Sequence, residues 1–281
     1  RFPEGNYSVS LHLTTWSGWT LDLRHPFIIR RISEIRECKI SPAEGIALWT
    51  KFVIRCNNTE INVPLTYKII VSDVHGFGEI SSLKENTFGA ILYLGEEPTS
   101  PPSFLPVGVV ASHYAVKLYV QAYNNALGAF SQVILYATVQ APTDRNSSGT
   151  VLGQLFNFTE GPNSSLATLL QQREFLPAGY LIYVVASVLN SLKPEPPLEA
   201  NKTRLQEYLF NQTFALPITT LAEISQVVMC VTKLTQKTSE FTPMARKLAM
   251  VRVWQASRAL QQCHARDRRV SSEQVETVST G

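Results

Sequence analysis

Residues 115–139 read AVKLYVQAYNNALGAFSQVILYATV, and this stretch determines the fold class that we expect. Its outer segments, 115–122 and 130–139, are rich in β-branched and aromatic residues, which favour strands. The segment between them, 124–128, contains Asn and Gly, which are typical of turns. We therefore interpret the stretch as the last two strands of a β-sandwich.

Further strand-like segments come before this stretch. Residues 52–54, 65–71 and 90–94 have a similar composition and are separated by Gly, Pro, Asn and Asp. Several short strands at this spacing are typical of a β-sandwich. The first half of the chain is therefore predicted to be strand-rich.

The beginning of the sequence has the same order of elements as residues 115–139. Residues 7–13 alternate between apolar and polar side chains, a Ser17-Gly18 turn follows, and a second strand is predicted over 19–23. The strands that should come before this pair are missing. We therefore expect residues 1–30 to be the C-terminal strands of a preceding β-sandwich domain, and the sequence to be excised from a longer protein.

The apolar pattern changes after Pro142. Residues 143–162 begin with a polar run and are predicted to form a glycosylated linker. Over residues 163–281 the apolar spacing approaches 3.6, which predicts an antiparallel bundle of four or five helices. A further helix is predicted to begin at Ser272. The expected fold class is thus a β-sandwich followed by an antiparallel helical bundle.

Two of the predicted helices have clear start signals. Thr220 is followed three residues later by Glu223, which is the spacing of a capping box. Thr242-Pro243 combines a good N-cap residue with the residue that helices favour in their first turn.

The four cysteines divide into two sets by position. Cys38 and Cys56 flank a short strand-rich segment, so two neighbouring strands could hold them at bonding distance. We predict a disulfide there, worth about 3 kcal/mol in the chain-entropy model. Cys230 and Cys263 lie on segments with helical spacing. A simple helical hairpin would place Cys230 near Met250 instead, so the pairing of this second set stays open.

Seven Asn-x-Ser/Thr sequons occur in 281 residues, where chance would give roughly two. They begin at Asn6, Asn57, Asn146, Asn157, Asn163, Asn201 and Asn211. Their number predicts a secreted and N-glycosylated chain. A Ser/Thr-rich cytosolic protein is the alternative.

Charge and hydropathy limit the partners. The formal net charge of +3 is small and spread along the chain, so a nucleic-acid partner is not expected. The most apolar stretch, 179–192, is shorter than the 18 or so residues that span a bilayer, and it contains Ser187 and Asn190. A membrane anchor is therefore expected elsewhere in a longer parent protein.

Reaction chemistry has weak support in this sequence. The tripeptide His12-Leu13-Thr14 equals the cleavage tripeptide of self-processing adhesion receptors, where a His activates a hydroxyl group. In a strand, however, His12 and Thr14 simply share one face. The other histidines are His25, His75, His113 and His264, and none has a nucleophile or acid at a spacing that predicts contact. We expect no catalytic residue, no cofactor and no metal site.

Several segments resemble a known family in order and pattern, over about residues 31–270. They are Cys38-Lys39-Ile40-Ser41-Pro42, Phe52-Val53-Ile54-Arg55-Cys56, Pro64-Leu65-Thr66-Tyr67, Leu105-Pro106-Val107-Gly108 and the helical region 221–230. Together they resemble the end of the REJ (receptor for egg jelly) module of the polycystin-1 family. The resemblance implies that residues 31–142 are a fibronectin type III-like (Ig-like) sandwich with the Cys38/Cys56 bridge. It also implies that the bundle over 163–281 leads toward the family's autoproteolytic domain.

The same resemblance implies a function. Parents of this type resemble large multi-pass membrane proteins that partner a polycystin-2-type cation channel subunit, often at cilia. We hypothesise a non-enzymatic segment on the extracellular side of the plasma or ciliary membrane, with a role in flow sensing and left-right patterning. Neighbouring ectodomain modules and an unknown extracellular ligand are the other expected partners. The alternatives are a sperm-surface receptor-for-egg-jelly homologue, an adhesion module, and an extracellular enzyme with an unrecognised site.

Overall fold

The structure is a computed structural model that describes residues 5–29, 35–58, 65–72, 88–124, 129–143, 148–192, 196–237 and 242–279. The strands within these ranges are β1 Gly5–Thr14, β2 Thr20–Ile29, β3 Ile35–Ser41, β4 Glu44–Ile46, β5 Lys51–Asn58, β6 Thr66–Ser72, β7 Ala90–Gly95, β8 Ser103–Phe104, β9 Ala115–Asn124 and β10 Ala129–Gln140. The helices are a short 3-10 helix Val110–Ser112 and α1 Ser148–Thr159, α2 Ser165–Gln171, α3 Phe175–Ser191, α4 Pro196–Thr213, α5 Leu221–Leu234 and α6 Pro243–Ser279. The predicted order of strands followed by helices is confirmed.

Two sheets make up the body of the β-rich part. A five-stranded sheet has the order β4-β10-β9-β6-β7, and a three-stranded sheet has the order β3-β5-β8. Within these sheets β4 pairs in parallel with β10, and the other pairs are antiparallel. Alternate residues from both sheets, such as Phe52, Val71 and Leu118, are fully buried in one core. This is a sandwich-like arrangement, and its fibronectin type III-like identity stays a prediction.

Strands β1 and β2 form a separate two-stranded sheet. Its register places Leu11 opposite Leu23 and Leu13 opposite Leu21, so one face of the hairpin is apolar. These four leucines remain 46–51% exposed. An isolated hairpin is at best marginally stable in water, and this exposed apolar face fits a hairpin that packs on other strands. Its assignment to a preceding β-sandwich domain stays a prediction.

The prediction of a polar linker over residues 143–162 is wrong for most of that range. Helix α1 occupies 148–159, and its side chains Val151, Leu152 and Leu155 are buried. Gly153 and Gln154 interrupt these three apolar positions, so the sequence pattern alone does not indicate a helix there. Within residues 163–281 the described chain has five α-helices, α2–α6, which agrees with the four or five expected there, and α1 is an additional helix. Helix α6 is continuous to Ser279, so no separate helix begins at Ser272. The antiparallel arrangement of the helices stays a prediction.

Helix α3 explains why the β-rich and helical parts pack together. Every residue from 178 to 189 in this helix is buried, which is typical of a helix surrounded by protein. Its side chains belong to the same core cluster as those of both sheets. The predicted boundary between sandwich and bundle therefore does not separate two cores.

Hydrogen bonds between the described helices and the β-rich part include three that are at least partly buried. Tyr180 donates its hydroxyl proton to the carbonyl oxygen of Phe104, over 2.9 Å. The amide of Val107 donates to Ser187 Oγ at 3.1 Å, and the amide of Ile91 donates to Gln226 Oε1 at 2.7 Å. Each bond satisfies a polar group at the boundary, where an unmatched one would cost about 1–3 kcal/mol.

Both predicted helix starts are confirmed. Thr220 accepts from the amide of Glu223, and the Glu223 carboxylate accepts from the amide of Thr220, which completes a capping box. Thr242 Oγ1 accepts from the amide of Ala245 at 3.0 Å, as expected for an N-cap residue. Each of these contacts joins two residues that are three positions apart in the sequence, and a local sequence pattern can therefore predict it.

Candidate functional site

The predicted glycosylation sites can be compared directly with the structure. Asn6, Asn57, Asn157, Asn163, Asn201 and Asn211 are all exposed, whereas Asn146 lies outside the described residues. An oligosaccharide can be attached only where the Asn side chain reaches solvent. The six described sites therefore meet the structural requirement for N-glycosylation, and their occupancy stays a prediction.

Four of these sequons lie on neighbouring elements. Asn157 is on α1, Asn163 is in the turn that follows, and Asn201 and Asn211 are on α4. Helix α4 contacts this region through Arg204, whose Nη2 donates to Glu160 Oε2 at 2.6 Å. Glycans at these four positions would cover the surface formed by α1 and α4.

The predicted Cys38–Cys56 disulfide is present. The two residues face each other across β3 and β5, and both are buried. The open question about the other two cysteines is also answered, because Cys230 and Cys263 are both free thiols. Cys230 Sγ lies 3.0 Å from the carbonyl oxygen of Gly179, and burial raises the pKa of its thiol to about 12. A thiol with that pKa stays protonated and unreactive at neutral pH.

The histidines do not converge on a reactive centre. His12 pairs through Nδ1 with the carboxylate of Asp22 on the opposite strand, a contact that the sequence analysis missed. The two side chains are 63% and 72% exposed, so solvent screens the pair. Self-processing at His12-Leu13-Thr14 would need an activated hydroxyl held away from water, and this open hairpin provides no such environment.

The remaining histidines are dispersed. His25 is exposed on β2, and His113 follows the short 3-10 helix with a left-handed backbone, φ 53°. His75 and the side chain of His264 lie outside the described residues. Across the described part of the chain, no cluster of His, Cys, Asp or Glu is arranged to hold a metal ion.

Three buried cations in the described helical part were not predicted from the sequence. One is Lys202, whose Nζ donates to the carbonyl oxygen of Leu192 at 3.3 Å, and the other two are Lys233 and Arg252. Lys233 is 6% exposed, its Nζ lies 5.6 Å from the ring centre of Tyr183, and burial lowers its pKa to about 8. Arg252 is 3% exposed and donates through Nη2 to the carbonyl oxygens of Thr213 and Leu216, at 2.6 Å each. Each of these last two cations is enclosed by core side chains, so both have a structural setting and not the cleft of an active site.

A surface cavity of about 260 Å³ lies beside the 3-10 helix. Its lining includes Val107, Val109, Lys117 and Tyr136 and contains no His, Cys, Asp or Glu from the described ranges. Lys117 and Tyr136 are the only titratable groups in this described lining, and no imidazole or carboxylate lies beside them there. Within the described ranges, none of the helices combines the length and hydropathy needed to cross a bilayer.

Known proteins with similar sequences identify the family. The family model for the REJ domain matches residues 3–184, which include both the hairpin and the two larger sheets. The chain is 60% identical to the "Polycystin family receptor for egg jelly" of Homo sapiens and 48% identical to the protein of the same name from Mus musculus. Both alignments cover 100% of this chain, but only 12% and 13% of the relatives' lengths. Together with the fold described above, the match over residues 3–184 shows that the chain belongs to the REJ domain family.

Proposed function

We propose that this chain is a non-enzymatic, N-glycosylated extracellular segment of a membrane-anchored, polycystin-type receptor. The observation that carries the proposal is the exposure of all six described sequon asparagines. Because Asn is mostly exposed in any folded protein, this exposure supports the proposal together with the number of sequons, which is seven where chance gives roughly two. The relatives are also named as receptors, which favours a binding role over catalysis. The rival extracellular enzyme would need a deep polar pocket, whereas the lining of the described cavity contains no His, Cys, Asp or Glu.

The mass of the secreted chain tests this proposal. Protein secreted from mammalian cells is expected to lose several glycan masses on treatment with peptide-N-glycosidase, and each released Asn becomes Asp. Non-reducing peptide mapping should show Cys38 joined to Cys56, while Cys230 and Cys263 react with an alkylating reagent after denaturation. Changing Asn157, Asn163, Asn201 and Asn211 to Gln should remove the glycans of the α1–α4 surface. A chain secreted with unmodified asparagines would contradict the extracellular assignment.

A second proposal concerns the ligand of the parent protein. The relatives' name, receptor for egg jelly, favours the sperm-surface alternative over a ciliary role in left-right patterning. We therefore infer that the parent binds a component of the egg coat. The glycosylated chain should bind solubilised egg coat saturably, and a secreted glycoprotein of similar size should not. Equal retention of both proteins would contradict this assignment.

A polycystin-2-type cation channel subunit is the partner proposed for the parent protein. The shared core of sheets and helices supports a role for this segment in transmitting ligand or force, because a unit with a continuous core moves as one body. The parent should co-purify with such a channel subunit. Recovery of the parent without the subunit under mild detergent conditions would argue against the partnership.

A further inference from the structure

The outward side of α6 carries apolar and basic residues that remain exposed in the described structure. Met250 is 74% exposed, Trp254 is 60% exposed and Val251 is 40% exposed. The opposite side of the same helix is buried, with Ala249 and Ala256 facing the core or α5. Helix α6 is therefore apolar on two sides, and one of these sides has no covering residue among those described.

Five of the exposed residues form a stripe along the helix, and Met244, Val253 and Leu260, which are 49–52% exposed, lie outside it. Successive helical residues are rotated by about 100°, so Lys247, Met250, Val251, Trp254 and Arg258 fall within an arc of about 100°. We call these five residues the α6 seam. From Lys247 to Arg258 it extends for about 17 Å. Spacings of three and four residues are typical of a helix that packs lengthwise against another helix.

The charge of the seam indicates the chemistry of its partner. Residues 242–263 contain no Asp or Glu, and Lys247 and Arg258 lie within the seam itself. The guanidinium of Arg258 is 5.5 Å from the ring centre of Trp254, so the basic and apolar groups share one surface. A complementary partner therefore presents apolar side chains together with carboxylates.

Two other occupants fit the seam less well. A second copy of the chain would bring Lys247 and Arg258 close to identical cations, which costs free energy. A helix that lies in a membrane surface keeps its apolar face separate from its basic residues. Here Lys247 and Arg258 are positioned between Trp254 and Val251 around the helix. Insertion of these apolar side chains into a membrane would therefore bury the two cations as well.

The sequons leave this surface accessible. Those of the helical part lie on α1, in the turn after α1 and on α4, and α6 contains none. We propose that the α6 seam binds an acidic amphipathic helix of a protein partner. Met250 and Trp254 supply the apolar contacts, and Lys247 and Arg258 pair with carboxylates set among the partner's apolar side chains.

Binding of designed peptides to the purified chain tests this proposal. The probe is a fluorescent helical peptide that carries Leu and Glu interspersed on one face, and its match has Lys in place of each Glu. The acidic peptide should bind about tenfold more tightly than the basic one at low ionic strength. Trp254→Ala should weaken binding by at least about tenfold, because exposed aromatic anchors dominate such contacts.

Charge reversal provides the matched control. The double variant Lys247→Glu/Arg258→Glu should prefer the basic peptide, whereas Arg24→Glu/Arg55→Glu, which makes the same charge change on exposed side chains of β2 and β5, should change affinity by less than about twofold. Circular dichroism establishes that each variant is folded, which is expected because the altered side chains are exposed.

Three outcomes would overturn the proposal. The first is equal binding of the acidic and basic peptides, or binding that Trp254→Ala does not weaken. The second is binding to phosphatidylcholine–phosphatidylserine vesicles that depends on Trp254, without binding of the acidic peptide. The third is a concentration-dependent dimer that Trp254→Ala abolishes. Because the assay needs only the purified chain, these outcomes are independent of the glycosylation test of the proposed function.

Discussion

Replacing Arg252 by Met is expected to lower the free energy of unfolding by about 3 kcal/mol, because two charge-assisted hydrogen bonds are lost: the carbonyl oxygen of Leu216 loses its donor, and that of Thr213 keeps only the amide of Leu216. These oxygens belong to Thr213, the last residue of α4, and to Leu216 just beyond it. The C-terminal end of a helix carries unpaired carbonyls and a partial negative charge, and Arg252 neutralises both. Methionine has a similar length and preserves contact with Phe214, so the loss is mainly of hydrogen bonds and charge.

Urea unfolding of the secreted chain measures this effect. Arg246→Met is the matched control, since Arg246 is exposed on the same helix and its loss should change stability by less than about 0.5 kcal/mol. Arg252→Lys should recover only part of the loss, because an ammonium group cannot reproduce the geometry of a guanidinium. A change below about 1 kcal/mol for Arg252→Met would show that α4 does not depend on this contact.

Replacing Lys233 by Met is expected to have the opposite effect and to raise the free energy of unfolding at pH 7 by about 2 kcal/mol. The pKa of Lys233 falls from 10.5 to about 8 on folding because burial penalises its charge. At pH 7 the folded protein therefore holds a buried ammonium ion at a cost of about 3 kcal/mol, and the loss of its contact with Tyr183 offsets part of the gain.

The stabilisation should depend on pH in a defined direction. Between about pH 8 and 10.5 the unfolded chain binds more protons than the folded chain at Lys233, so wild-type stability from this group rises with pH. Lys233→Met lacks this rise, and its advantage over the wild type should shrink as pH increases from 7 to 10. Above about pH 9 the raised pKa of buried Cys230 makes stability fall as the pH increases. Cys230 is present in both proteins, so its contribution cancels in the difference between them.

Denaturant unfolding of both proteins at several pH values between 7 and 10 gives the difference directly. Lys247→Met serves as the control, because Lys247 is exposed and its replacement should change stability by less than about 0.5 kcal/mol. An advantage of Lys233→Met that is the same at pH 7 and pH 10 would refute the assignment of a buried, charged lysine.

Features set by near neighbours in the sequence were predictable. The alternation in residues 7–13, the capping box at Thr220 and the short separation of Cys38 and Cys56 each depend on local spacing, and the structure contains all three. Helix α1 was missed because its buried stripe is only Val151, Leu152 and Leu155, set among polar residues and glycines.

Features that depend on distant parts of the chain were not predictable. Lys233 and Arg252 read as ordinary surface cations, because nothing adjacent to them in the sequence reveals that Tyr183 and the end of α4 enclose them. The pairing of His12 with Asp22 depends on the hairpin register. The α6 seam was likewise hidden, since helical spacing alone does not tell which of two apolar sides faces the core.

The central position of α3 bears on how this region could be exchanged during evolution. The REJ match ends at residue 184, in the middle of a helix that is buried continuously from 178 to 189. Recombination at that boundary would transfer half of the helix without the side chains that enclose the rest. The segment matched by the family model is thus shorter than the segment that shares one core with it. We therefore expect the sheets and the helices after them to be inherited together.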